Sequence, residues 1–226
     1  MARDMALLQN DSRAYLRLYR WDPPSLSFGR HEAAMRRYDR AEIERRGLAV
    51  VRRPTGGRAV WHEEEVTYAV AAPLATFGSL AATYREIHER IAAALRTLGV
   101  PAVLAERRHP FRPQRAGACF AATAGGEIVV AGRKIVGSAQ LAHGRAVLQH
   151  GSILLGGSQA LIGAVSREPA AEPGEASLAQ VLGRPVAFHE VAQAVVAAWG
   201  ERLHPAPFLP PLGPTPFADP AWTWRR

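Results

Sequence analysis

Three consecutive strand-like segments in the second half of the chain constrain its fold most. Residues 127–131, 134–141 and 149–155 are rich in Val, Ile and Leu, and glycine-containing turns near residues 132 and 143–144 separate them. Strands that follow one another through such short turns pair as antiparallel neighbours. The segments therefore predict a three-stranded antiparallel meander.

The remaining patterns supply further strands and a set of helices. Strands are predicted at residues 14–21, 25–28, 48–53 and 65–72, with a short one beginning at Val103. Helices are predicted at residues 39–46, 79–98, 177–182 and 189–199, and residues 1–11 look like an amphipathic helix already under way. Because strands dominate the middle and helices flank them, we expect an α/β (α+β) fold with a mixed, largely antiparallel sheet flanked by helices.

The length of 226 residues suits one domain with a short appendage. We expect a single domain over residues 1–204, with its first strand or helix clipped, and a proline-rich tail over residues 205–226. The tail is predicted to pack across the domain as extended chain. Residues 107–117 contain two prolines and four arginines without periodicity, and they are predicted to form a loop.

Charge and composition limit the compartment and the partners. The formal net charge is +8, and 27 of the 28 basic residues are arginine. The arginines are scattered without interleaved aromatics, so we expect no nucleic-acid binding and prefer an acidic protein partner. No apolar run is long enough to span a membrane, no signal peptide is recognisable, and one cysteine cannot form an intramolecular disulfide. We therefore expect a cytoplasmic protein without a membrane partner.

The chain has one cysteine, Cys119, and one lysine, Lys134, which lie 15 positions apart. Lysine, unlike arginine, can lose its proton near neutral pH, and a nearby ammonium increases the thiolate fraction of a cysteine. The two residues are thus candidates for a nucleophile and its partner. A surface lysine and a small buried thiol remain the alternative interpretation.

A second candidate segment, residues 52–62, carries Gly56 and Gly57 between arginines. Glycines after a strand let a ligand approach the backbone, whose amide N–H groups can then hold an oxyanion or a phosphate. A hairpin turn with solvated arginines is the alternative interpretation. No metal site is expected, because one cysteine and the neighbouring histidines offer no recognisable ligand spacing. No ordered serine-hydrolase motif is present either.

Four ordered motifs resemble a known family. RRPTGGRAVWHEEEVTYAV, ACF, GRKIVGSAQ and LQHGSILL occur in that order, and YRWDPPSLSFGR precedes them. Together they are similar to the biotin/lipoate protein ligase superfamily, and within it to the LipM type of octanoyltransferase. The resemblance covers roughly residues 1–155. It departs after the cysteine, where AATAGGE replaces a more polar, aromatic-containing stretch.

The resemblance implies an activity and assigns residues to it. Octanoyl passes from octanoyl acyl carrier protein, through a thioester on Cys119, to a lysine of a lipoyl domain such as the glycine cleavage H protein, with no cofactor. Cys119 and Lys134 are catalytic in this reading. The motifs assign substrate binding to further residues: Arg53, Thr55, Gly56, Gly57, Arg58, His62, Gly137, Ser138, Ala139, Gln140 and His150.

Two related activities use the same superfamily fold. An ATP-dependent lipoate or biotin-type ligase would consume ATP with a free acid and would not need Cys119. A LipL-type amidotransferase also uses a cysteine but passes acyl groups between lipoyl proteins. Cysteine before lysine, as in Cys119 and Lys134, is the order of the LipM type.

Overall fold

The structure is a computed structural model. It describes residues 1–9, 13–106, 125–168, 174–200, 203–205 and 215–225. The predicted loop at residues 107–117 and the candidate nucleophile Cys119 lie outside these ranges.

Nine strands and eight α-helices occur within the described ranges. The strands are β1 (Tyr15–Tyr19), β2 (Ser25–Phe28), β3 (Ala49–Arg52), β4 (Val60–His62), β5 (Glu65–Pro73), β6 (Val103–Leu104), β7 (Ile128–Val130), β8 (Arg133–His143) and β9 (Ala146–Leu154). The helices are α1 (Ala2–Gln9), α2 (Ala34–Arg37), α3 (Arg40–Arg45), α4 (Leu80–Thr97), α5 (Ala160–Ala164), α6 (Leu178–Leu182), α7 (Phe188–Ala198) and α8 (Pro220–Thr223).

The larger sheet has six strands in the order β1-β5-β9-β8-β7-β6, and every neighbouring pair is antiparallel. The predicted meander is its β7-β8-β9 part and is confirmed. Strand β9 begins at Ala146, three positions before the prediction, because residues 146–148 pair with residues 141–143 of β8. A register shift between Ile128 and Val129 interrupts the β7-β8 pairing close to Lys134.

Helix α4 covers one face of this sheet and supplies much of the core. Ser79 caps it by accepting a hydrogen bond from the Ala82 N–H. Ile87, Ile91 and Leu95 are fully buried in a cluster that includes apolar side chains of β5, β7, β8 and α7. Burying one such side chain stabilises the fold by roughly 1.5–3 kcal/mol. The 3.6-residue periodicity therefore identified both the helix and its buried face.

The smaller sheet has three strands in the order β3-β2-β4. Strand β2 is parallel to β3 and antiparallel to β4, so the fold is mixed although the larger sheet is purely antiparallel. The sequence did not predict β4, which lies directly after the Gly56–Arg58 loop. Its position matters because it places His62 opposite Ser25 and beside the larger sheet.

The C-terminal segment differs from the prediction. Residues 216–223 were expected to be extended, but they form a 3₁₀ turn at Pro216–Ala218 followed by α8. The reason is local, since Asp219 accepts a hydrogen bond from the Ala221 N–H and Pro220 occupies the first helical position, both strong helix-start signals.

Arg52 joins this segment to the small sheet. Its guanidinium is completely buried and donates to the carbonyl oxygens of Trp222, Thr223 and Arg225. It also donates to the Gly29 and Glu32 carbonyls at 2.8 and 2.7 Å. Burial lowers the pKa of Arg52, although the group stays charged. Its charge is therefore used within the fold and is not available to the candidate loop.

In the part of the chain that the structure describes, no helix is both long and apolar enough to cross a bilayer.

Candidate active site

A pocket lies between the loop after β3 and the strands β8 and β9. Its space of about 370 Å³ is continuous with open solvent. Its lining consists of Met1, Tyr19, Trp21, Arg53, Val60, His62, Thr67, Gly137, Ser138, Ala139, His150, Gly151 and Ser152. Residues from three widely separated motifs thus converge on one cavity.

Six of the predicted binding residues line this pocket, namely Arg53, His62, Gly137, Ser138, Ala139 and His150. Thr55 lies one contact away, since its hydroxyl is 2.6 Å from His150 Nε2. Gln140 is not brought to the pocket. Its amide donates instead to the Leu80 carbonyl and to Gln149 Oε1, at 3.1 and 2.9 Å.

Arg53 organises the Gly-Gly loop. Its guanidinium donates to the carbonyl oxygens of Gly56 and Arg58, and to the carbonyl and hydroxyl oxygens of Ser27. The loop therefore turns these two carbonyls toward Arg53. Gly56, Gly57 and Arg58 are not among the residues that line the pocket.

His62 is held on three sides. Its Nε2 is 2.7 Å from Ser27 Oγ, its Nδ1 is 2.8 Å from Glu65 Oε1, and the Trp21 ring stacks on it with centroids 4.4 Å apart. All three contacts use different parts of the ring, so its orientation is fixed.

The ring of His150 is also held at both nitrogens. The Thr55 hydroxyl is 2.6 Å from Nε2, and Asp4 Oδ2 is 3.5 Å from Nδ1. Burial lowers the pKa of His150, partly offset by Asp4, so the ring is neutral at pH 7. Burial would raise the pKa of Asp4, but the His150 hydrogen bond and nearby positive charges including Arg17 lower it to about 2. Asp4 was not recognisable from the sequence, because it lies 146 positions from His150.

Lys134 is buried, with only 1% of its surface exposed, and its Nζ lies 2.5 Å from Glu127 Oε1. Its backbone bonds to Gly174 and Ala176, which ties this part of β8 to the chain before α6. Lys134 is not among the residues that line the pocket. The predicted proximity of Lys134 and Cys119 stays a prediction, because Cys119 lies outside the described residues.

Glu127 is a residue that the sequence analysis missed as a partner. Desolvating two charges is expensive, and a buried pair needs good geometry to offset that penalty. A lysine within a buried strand therefore implies a nearby carboxylate, and Glu127 precedes the tight turn that leads to Lys134. The buried lysine thus predicts a carboxylate partner, but the sequence alone does not distinguish Glu127 from the other glutamates.

A second network connects the pocket to α4. The Ser138 hydroxyl is 2.8 Å from His88 Nε2 and 2.6 Å from the Tyr68 hydroxyl, which in turn accepts from Gln149 Nε2 at 3.1 Å. His88 Nδ1 is 2.6 Å from the Gly126 carbonyl oxygen, so it carries the proton and Nε2 accepts from Ser138. The wall of the pocket at Ser138 is thus fixed by a helix on the far side of the sheet.

His88 should make stability depend on pH. Burial, partly offset by its Gly126 hydrogen bond, lowers its pKa from 6.5 to about 4, and the charge of Lys134 acts in the same direction as burial. The unfolded chain binds this proton more readily, so stability is full above about pH 6.5 and falls as the pH drops toward 4. The loss should be about 3 kcal/mol.

Urea unfolding at pH 7, 5.5 and 4 measures this dependence. A His88→Gln variant should lose about 3 kcal/mol of the decline over that range, while the part that the buried His150 contributes remains. His143→Gln, at an exposed position, should retain the wild-type decline. Equal slopes for wild type and His88→Gln would contradict the assignment.

Gly29 has no room for a side chain. A Cβ there would lie 1.8 Å from the Gly57 carbonyl oxygen and 2.7 Å from the Gly57 carbonyl carbon. Gly29→Ala must therefore move the Gly-Gly loop, and we expect a loss of about 2–3 kcal/mol in the free energy of unfolding. Gly56→Ala is the matched comparison, since a Cβ there meets nothing within 4 Å. Urea denaturation of both variants checks the difference, and equal stabilities would contradict the steric argument.

Among the described residues, no group of three or more His, Cys, Asp and Glu side chains is arranged to hold a metal ion.

Comparison with known proteins agrees with this architecture. The family model "Lipoyl protein ligase A/B catalytic domain" matches residues 1–200. A relative named "Octanoyltransferase LipM" from Symbiobacterium thermophilum is 37% identical over 203 residues, covering 83% of this chain and 74% of the relative. A protein of the same name from Kyrpidia tusciae is 40% identical over 141 residues, covering 58% of this chain and 52% of the relative. The chain spans about half the length of several of these relatives.

Solved structures show the same fold. Lipoate-protein ligase A bound with ATP superposes with a TM-score of 0.73 at 24% identity, covering 88% of this chain and 78% of the other. A bipartite lipoate protein ligase from Thermoplasma acidophilum gives 0.68 at 21% identity, covering 88% and 76%. The predicted fold class is confirmed, and the chain belongs to the lipoyl protein ligase A/B catalytic domain family.

Proposed function

We propose that this chain is an octanoyltransferase that moves octanoyl from acyl carrier protein, through a thioester on Cys119, to a lysine of a lipoyl-domain protein such as the glycine cleavage H protein. The observation that carries the proposal is the pocket, which residues of the RRPTGG, GRKIVGSAQ and LQHGS motifs line together. The octanoyltransferase relatives support the same reaction. We assign it to the cytoplasm, where a lone cysteine stays reduced.

In the first step the Cys119 thiolate attacks the thioester carbonyl of the donor. A new carbon–sulfur bond forms, the bond to the carrier sulfur breaks, and the carrier thiol takes up the proton that Cys119 released. One thioester replaces another, so the free-energy change is near zero. The buried Lys134 ammonium, if it approaches Cys119 as the resemblance implies, favours the thiolate over the thiol.

In the second step the acceptor lysine attacks the acyl-enzyme. A carbon–nitrogen bond forms, the bond to Cys119 breaks, and the amine proton returns to the thiolate. An amide replaces a thioester, so the step is downhill and requires no ATP. The incoming lysine is protonated at neutral pH and needs a base. Lys134 can serve as that base by passing its own proton to Glu127, 2.5 Å away.

The pocket would hold the acyl tail against small and apolar surfaces, among them Gly137, Ala139 and Val60. Burying about six methylene groups at ~0.8 kcal/mol each contributes roughly 5 kcal/mol. That amount separates octanoyl from acetyl by a large factor. Neighbouring even chain lengths differ by only about 1.6 kcal/mol, so preference among them depends on the depth of the pocket.

Intact-mass spectrometry after mixing the protein with octanoyl acyl carrier protein, without ATP, tests the proposal. Wild type should gain one octanoyl increment that hydroxylamine removes. Cys119→Ser should not form this thioester. Lys134→Arg keeps the positive charge and should still form it, but arginine cannot act as a base, so octanoyl should pass to the acceptor lysine at least about a hundredfold more slowly.

The alternatives give different results in the same assay. Amide formation on a lipoyl domain only with ATP and free acid would replace the proposal with a ligase. Transfer only from an already octanoylated or lipoylated protein would replace it with an amidotransferase.

A further inference from the structure

Glu65 is a buried carboxylate that no motif assignment uses. Only 2% of its surface is exposed. Its Oε1 accepts from His62 Nδ1 at 2.8 Å, from the Ser152 hydroxyl at 2.9 Å and from the Thr67 hydroxyl. Its Oε2 is buried and has no hydrogen-bond partner among the described residues. The carboxylate therefore accepts all three hydrogen bonds at Oε1, and all three donor residues line the pocket.

A series of hydrogen bonds links Arg53, Ser27, His62 and Glu65, and the direction of each bond follows from which group can donate. Arginine can only donate, so Ser27 Oγ accepts from Arg53 Nη1 at 2.9 Å. The Ser27 hydroxyl proton then has one acceptor among its contacts in the described structure, His62 Nε2 at 2.7 Å. Nε2 must carry no proton, and Nδ1–H must donate to Glu65 Oε1 at 2.8 Å. Four groups are thus ordered in a single sense, from Arg53 to Glu65.

We propose that Glu65 is a positioning residue of the site: it holds His62 as the neutral Nδ1–H tautomer, so that Nε2 accepts from Ser27 and Ser27 in turn fixes the Arg53 guanidinium. Glu65 touches neither substrate nor reacting atoms in this assignment. Its effect reaches the Gly-Gly loop through Arg53, which donates to the Gly56 and Arg58 carbonyls. The wrong tautomer would place two donors, Nε2–H and the Arg53 guanidinium, against Ser27, which would lose the acceptor for its own proton.

Nitrogen-15 NMR of the histidine rings tests this directly, because the two tautomers have well-separated ring-nitrogen shifts. Wild type should show His62 protonated at Nδ1, with a His62→Gln variant identifying the signals. Glu65→Gln keeps a carbonyl oxygen for Nδ1–H and should retain the tautomer. Glu65→Met removes the acceptor and should change the tautomer ratio at least about tenfold, the equivalent of one charge-assisted hydrogen bond. Glu64→Gln, at the exposed neighbouring position, should leave the spectrum unchanged.

Kinetics provide the second measurement and rest on the proposed function. Glu65→Met should lower kcat for octanoyl transfer by about tenfold, the equivalent of one charge-assisted hydrogen bond, with KM for the donor little changed. Glu65→Gln should restore most of kcat.

A wild-type His62 protonated at Nε2, or at both nitrogens, would overturn the proposal, as would an unchanged tautomer in Glu65→Met. If Glu65→Met does not fold, the wild-type and Glu65→Gln spectra still decide the question. Failure of octanoyl transfer in wild type would overturn the proposed function but not the tautomer assignment, so the two outcomes are distinguishable.

Discussion

Lys134→Met should destabilise the fold by about 3–5 kcal/mol, the usual result of breaking a buried ion pair by removing one member. Lys134 and Glu127 are 1% and 6% exposed, and their charged atoms are 2.5 Å apart. Removing the ammonium leaves a carboxylate charge in a poorly solvated position, directly before the first residue of β7. Urea denaturation at pH 7 measures the loss.

The double variant Lys134→Met/Glu127→Leu separates stability from chemistry. Replacing both charges by apolar groups of similar size is often neutral or stabilising, so the double variant should recover most of the lost stability. It should not recover octanoyl transfer, because no side chain then supplies the ammonium. A double variant as unstable as Lys134→Met would contradict the pairing. One that is stable and fully active would remove Lys134 from the proposed mechanism.

Arg52→Met should have the second large effect. The substitution removes the side-chain donor of five backbone carbonyls. Those of Gly29 and Glu32 still accept from the Glu32 and Ala34 N–H groups. Those of Trp222, Thr223 and Arg225 keep no other donor among the described residues. A buried acceptor left unsatisfied costs about 1–3 kcal/mol, so three of them predict a total loss of at least about 3 kcal/mol. Hydrogen exchange of the α8 amides should accelerate together with the loss of global stability.

Two comparisons make the Arg52 prediction specific. Arg52→Lys keeps the charge but lacks the planar set of donors, so it should restore only part of the stability. Arg45→Met, which removes an exposed arginine paired with Glu42, should leave the free energy of unfolding nearly unchanged. If Arg52→Met unfolds at the same urea concentration as Arg45→Met, the role assigned to the buried guanidinium is wrong.

The sequence predicted the helices and strands that have a long hydrophobic periodicity of their own. Helix α4 and the β7-β8-β9 meander carry long, regular patterns with clear end signals. Strand β4, with three residues, and helix α2, with four, have no pattern long enough to detect. Neighbouring elements stabilise them, as when β4 pairs with β2. The C-terminal helix was missed for a different reason, because the proline content of the tail outweighed the Asp219-Pro220 start signal.

The candidate site likewise combines residues that the sequence predicted with residues that it did not. The motif assignments named six of the thirteen residues that line the pocket, because glycine, histidine and arginine at those spacings are recognisable as a set. They gave no role to Glu65, Ser27, His88 or Glu127, whose side chains contact the assigned residues. Common residue types become informative only when a structure shows which atoms they face.

Strands β1 and β5 are adjacent in the larger sheet, yet the whole smaller sheet lies between them in sequence. The segment from Arg20 to Glu64 is therefore an excursion that leaves the sheet and returns beside its starting point, and the pocket lies at the seam where it docks. Under the proposed function, an acyl group bound there would contact both the segment and the larger sheet, and it would favour the docked arrangement over one in which the segment has opened locally. Binding in the pocket and docking of the segment would therefore be linked: ligand binding would stabilise the docked segment, and opening of the segment would weaken ligand binding by the same free energy.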